Sequence, residues 1–117
     1  KARQVYEHHC TSFRMAKDAG VLIAAGTDGS TPYNPHGGLA LELELMVENG
    51  LTPVEALRAA TESAAKVLGL EDRIGRVAVG MQADLLLVDG DPLEDIGTLR
   101  RVRGVVGAGA LLVHNVD

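Results

Sequence analysis

Apolar and polar positions along the chain follow helical spacing through most of the first part and short β-type runs through the rest. Between residues 4 and 19, Val5, Cys10, Phe13, Met15 and Ala16 recur at roughly helical intervals, and Gly20 stands where a C-terminal cap is expected. The next run, VLIAAGTD at residues 21–28, opens with five apolar residues without alternation. That pattern predicts a strand covered on both faces, as in parallel α/β sheets. It delivers Asp28 into GSTPYNPHGG, residues 29–38, which is too rich in turn residues to be anything but loop. Leu39, Leu43, Met46 and Val47 then share one helical face, with Glu42, Glu44 and Glu48 elsewhere and Asn49 and Gly50 closing the helix. Glu44 is oriented differently from the apolar stripe and can face a neighbouring element.

Thr52, Pro53 and Glu55 carry the signature of a capping box with proline at the first helical position. The helical pattern they start runs through Ala56, Leu57 and Ala60 to Val67 and Leu68, with a break near residues 61–63, and stops before Gly69. Beyond it, residues 77–79, 83–89, 102–106 and 110–114 are β-type runs. Gly80, residues 90–92 and residues 107–109 separate them, the last being a hairpin signal. The pattern predicts an α/β chain: helix, strand, two helices and an all-β tail.

A chain of 117 residues fits one domain with a modest core. Hydrophobic residues make up 46% of it but aromatics only 3%, so the core must be built from Leu, Val, Ala and Ile. A net charge of -5 argues against a nucleic-acid partner, which requires a basic surface. No apolar run approaches bilayer length, so no membrane partner is expected. The single Cys10 allows no internal disulfide and leans toward a reducing, cytoplasmic setting. With no initiator Met and a helical opening, the chain is expected to begin inside a larger protein.

Asp28 is the first candidate for chemistry. A carboxylate at the C-terminal end of a strand in an α/β fold can ligate a divalent metal and move a proton, but an aspartate there can equally cap the turn that follows. Both readings stand on the residues alone. His36 shares the loop and can reach a ligand held there, which makes it a candidate substrate contact. His8 and His9 are adjacent, so on a helix they point about 100° apart and suit a surface role. His114 lies in the terminal strand and reads as structural. Gly26, Gly29, Gly37 and Gly38 come without a Walker lysine or G-x-G-x-x-G spacing. Ser30 and Thr31 lack a nucleophile elbow and read as loop hydroxyls. These ligands are too few for a complete zinc centre.

The order of segments resembles the C-terminal portion of the metal-dependent amidohydrolase superfamily. The matching pieces are GVLIAAGTD at residues 20–28, HGGLALELELMVENGLTPVEALRAATESAAKVLGL at 36–70, IGRVAVGMQADLLLVDGDPLEDI at 74–96, and the last hairpin ending VVGAGALLVHN. GTD, GLTPxEALxAAT and GxxADLLxxDGDP are specific in combination, and within the superfamily the chain looks most like the branch of imidazolonepropionases and prolidase-type Xaa-Pro dipeptidases.

The resemblance implies the C-terminal segment of a (β/α)8 TIM barrel plus the C-terminal half of its small β-sandwich. Residues 1–72 would be the last β/α units of the barrel and residues 73–117 the sandwich strands. Asp28 would match the strand-eight aspartate that is both metal ligand and catalytic base and acid. The implied reaction is hydrolysis of a non-standard C–N bond, in a cyclic amide or an Xaa-Pro dipeptide, by metal-activated water. The implied cofactor is a divalent metal, zinc above all, in the full-length parent. The H-x-H pair and the other ligands of the family are missing, so the chain alone is expected to be inactive and not to retain the metal. Its expected partners are the small amide or dipeptide substrate, the remainder of the parent chain, and further copies of itself through unpaired edges. The alternative is a non-enzymatic binding or assembly module in which Asp28 is only a turn residue.

Overall fold

Three helices end alike, each with a glycine in the left-handed region followed by a residue whose amide reaches back into the last turn. They are α1 (Ala2–Asp18), α2 (Leu39–Glu48) and α4 (Glu62–Val67), in a computed structural model that describes residues 2–30, 32, 34 and 36–114. At the end of α2, Gly50 N donates to Val47 O and Leu51 N to Met46 O, which buries Leu51 against the helix it terminates. Gly20 and Gly69 close α1 and α4 by the same pair of bonds. The helix α3 (Pro53–Ala60) begins with the predicted capping box: Glu55 N donates to Thr52 Oγ1 at 3.3 Å, and Thr52 N to Glu55 Oε2 at 2.7 Å. The break between α3 and α4 falls at Thr61.

The tail forms one three-stranded antiparallel sheet in chain order, β1 (Leu85–Val88), β2 (Val102–Gly107) and β3 (Ala110–His114). A two-residue turn joins β2 to β3, with Ala108 at φ 49° and Gly109 at φ 83°, the geometry that matches strand twist in tight hairpins. The turn is tied to the chain just before β1. Gly109 N donates to Ala83 O at 2.9 Å, and Ala108 N to the Asp84 carboxylate at 2.7 Å.

Leu43 and Met46 of α2, Leu51, Ala56 and Ala59 of α3, and Ile96 form the core, with Phe13, Ile23 and Ala25 packed against it. Ile96 opens a 3₁₀ turn, Ile96–Arg100, that carries the sheet onto the helices. Close approach fixes the connection elsewhere too. A Cβ on Gly75 would lie 2.9 Å from Thr61 O and 2.8 Å from Ala65 Cβ, so only glycine lets the chain fold back over the α3–α4 break.

Two predicted strands are absent from the sheet. Residues 21–25 carry no regular structure, and Val21 and Leu22 are exposed. No strand of the described residues lies beside the segment, so a pattern that suits a doubly covered strand has no ladder to join. Residues 77–79 likewise stay irregular, with Val77 and Val79 open to solvent, and β1 starts two residues later than the run at 83–89. In α1, Val5 and Met15 face solvent while Cys10 is buried, so the apolar stripe is narrower than the spacing predicts. Leu39 is also half-exposed.

The orientation of Glu44 does find a neighbour. Arg100 Nε and Nη2 each donate to it at 2.7 Å, a bidentate pair across 56 residues. These bonds hold the Glu44 carboxyl below its ordinary value and raise the Arg100 guanidinium. A depressed folded-state pKa stabilises the fold above the unfolded value, about 4.3 for glutamate, and that contribution is lost as pH falls through the folded value. Glu44→Gln is therefore expected to lower stability at neutral pH and to flatten the loss of stability below about pH 4, read by urea unfolding at stepped pH. An acid limb unchanged by the substitution would remove this pair from the account.

Candidate functional site

The irregular run that carries Asp28 is held to the helices and not to a sheet. Ile23 and Ala25 pack on the core, and Ala25 N donates to Ala59 O at 2.9 Å, at the end of α3. Three residues later Asp28 takes positive φ, 48°, and Ser30 follows at 77°. Side-chain-bearing residues rarely occupy that region, and they cluster there at functional sites. Asp28 itself is exposed.

The loop folds back on this corner. Ser30 N donates to Asn34 O at 2.9 Å, and the Asn34 carboxamide donates to Thr27 O and to Asp28 O. His36 follows in the turn before α2. A Cβ at Gly29 would lie 3.5 Å from His36 Nδ1, so the imidazole rests against the backbone next to Asp28. The structure thus brings the Asp28 and His36 neighbourhoods together. Thr31 lies outside the described residues, and the Ser30 hydroxyl sits in the strained corner.

The remaining candidates lie elsewhere. His8 and His9 are exposed on α1, and His114 is exposed on β3 opposite Gly104. The acidic stretch DGDPLED is taken up by structure: Asp89 pairs with Arg103 at 2.9 Å, Asp91 accepts from Leu93 N at 2.8 Å, and Asp95 accepts from Gly97 N at 2.9 Å. Among the described residues no group of three His, Cys, Asp or Glu side chains is placed to hold a metal ion. Asp28 and His36 offer two donors, whereas a zinc centre takes three or four protein ligands. The described residues do not by themselves make up such a centre. No helix among the described residues is long and apolar enough to cross a membrane.

Sequence reasoning missed Asn34 and Asp84. Both act on backbone groups, and the signal available was only their residue type beside turn residues, since Asn and Asp side chains bond nearby main chain readily.

Comparison with known proteins covers most of the chain. The model of the amidohydrolase family matches residues 1–112. The ochratoxinase of Aspergillus niger is 36% identical over 107 residues, 90% of this chain and 22% of that protein. The imidazolonepropionase of Rubrobacter xylanophilus is 41% identical over 81 residues, 65% of this chain and 19% of its own length. A crystal structure of a Xaa-Pro dipeptidase with methionine bound in its active site superposes with a TM-score of 0.83 at 41% identity, over 88% of this chain and 25% of that one. The chain therefore spans about a quarter or less of the length of the proteins it matches.

Proposed function

Because the chain belongs to the amidohydrolase family, in its imidazolonepropionase- and prolidase-like branch, we propose that it is the C-terminal part of a metal-dependent hydrolase of non-standard C–N bonds. The substrate class is a cyclic amide or an Xaa-Pro dipeptide. In this proposal residues 1–72 are the last β/α units of a (β/α)8 barrel and residues 73–117 the C-terminal strands of its β-sandwich. The observation that carries it is the presentation of Asp28, exposed at a left-handed corner beside His36, in a chain that matches the family over residues 1–112.

Asp28 is assigned as the acid–base group. Its carboxylate takes the proton of the attacking water and returns it to the departing nitrogen, so that one group serves both halves of the hydrolysis. His36, against Gly29, is assigned to substrate contact. A divalent metal, zinc in this proposal, would be held jointly by Asp28 and by ligands outside this chain, and would supply the activation of the attacking water.

The apolar surface supports a larger parent. An open groove of about 720 Å³ runs between the helices and the sheet, lined by Leu39, Leu57, Leu68, Val77 and Leu86 among others. Surface of that kind marks contact with further protein, here the remainder of the parent chain. In its absence the same surface and the exposed β3 edge favour self-association.

In the complete protein, Asp28→Asn is expected to lower turnover about 10²- to 10⁴-fold with the circular dichroism unchanged; near-normal turnover would refute the role. Calorimetric titration of the 117-residue chain with zinc is expected to give weak binding or none, and a sub-micromolar site would overturn the shared-ligand arrangement. Sedimentation of the same chain is expected to show oligomers. A monodisperse monomer would count against the surface argument.

A further inference from the structure

We infer that Asn34 is a positioning residue for Asp28: its carboxamide sets the direction in which the Asp28 carboxylate leaves the backbone. The inference rests on the assignment of Asp28 as the acid–base group. Thr27 O belongs to the peptide plane before the Asp28 α-carbon and Asp28 O to the plane after it. The Asn34 Nδ2 amide donates to both, to the second at 3.2 Å. Holding the two planes fixes φ and ψ at Asp28 together, and with them the Cα–Cβ bond. The same residue closes the corner from its main chain, where Asn34 O accepts from Ser30 N at 2.9 Å.

The backbone needs such a hold. Asp28 and Ser30 lie at φ 48° and 77°, conformations that residues with side chains keep only where the surroundings hold them. Asn34 is half-buried and Asp28 exposed, so the clamp lies on the inner side of the corner. An asparagine serving only as a turn former would be replaced by aspartate without loss, since both favour turns. A clamp would not survive that change. Aspartate has no N–H to donate and sets carboxylate oxygens against two carbonyl oxygens.

The test uses Asn34→Asp and Asn34→Ala, the second removing the donor without adding charge. In the 117-residue chain, the strong intraresidue amide–α-proton cross-peak of Asp28, the mark of positive φ, is expected to weaken in both variants while the melting temperature holds. In the complete enzyme, with Xaa-Pro dipeptides and imidazolonepropionate as probes, kcat is expected to fall about ten- to a hundred-fold with KM little changed. A cross-peak retained in both variants overturns the inference, as does a fall in kcat that only follows lost fold. Asp28→Asn run in parallel separates the two assignments. Full activity in Asp28→Asn removes the acid–base role, whereas the cross-peak judges the clamp by itself.

Discussion

The packing of α2 against the 3₁₀ turn Ile96–Arg100 is the contact on which the arrangement of this chain depends. On its inner side Leu43 and Ile96 share the buried core, and on its outer side Glu44 grips Arg100 with two bonds. Gly97 lies beside the pair, where a Cβ would be in ordinary contact with Glu44 Oε1 at 3.6 Å but only 3.0 Å from the Asp95 carboxylate. The apolar half contributes through area removed from water. The charged half, with Arg100 half-exposed, contributes less energy than direction, because solvent screens a pair of this kind. Together they bring a sheet built far along the chain onto helices that start it, and α2 follows directly from the loop that carries Asp28 and His36.

That loop owes its shape to anchors at both ends. Ala25 is bonded to Ala59 in the last turn of α3, and α2 is seated by Leu43 and Met46. Between these anchors the corner at residues 27–30 is held by one asparagine, Asn34. The acidic stretch near the sheet, richer in carboxylates, is spent on Arg103 and on turn amides.

Features set by neighbouring residues were legible in the sequence. The capping box at Thr52, the glycine ends of the helices, the break near Thr61 and the hairpin at residues 107–109 depend on a few consecutive positions. Features that need a distant partner were legible only by half. The side of α2 on which Glu44 lies could be read, but Arg100, 56 residues on, could not. Residues 21–25 have the composition of a buried strand, and composition cannot supply the flanking strands that make one. Val77 and Val79 failed as strand residues for the same reason. Asn34 and Asp84 were overlooked because the bonds that matter here run to main-chain atoms, Thr27 O and Asp28 O for one and Ala108 N for the other, which no residue pattern displays.

The tie between the β2–β3 turn and residues 83–84 has a consequence for how the sheet comes apart. Ala108 and Gly109 are bonded to the residues that lead into β1, so all three strands meet at one knot of main-chain and carboxylate bonds. β1 cannot slide against β2 by a residue without breaking both ties, which locks the register. Fraying must start at the opposite end, where Val88 and His114 lie, and local opening that reaches the knot releases the three strands as one cooperative unit.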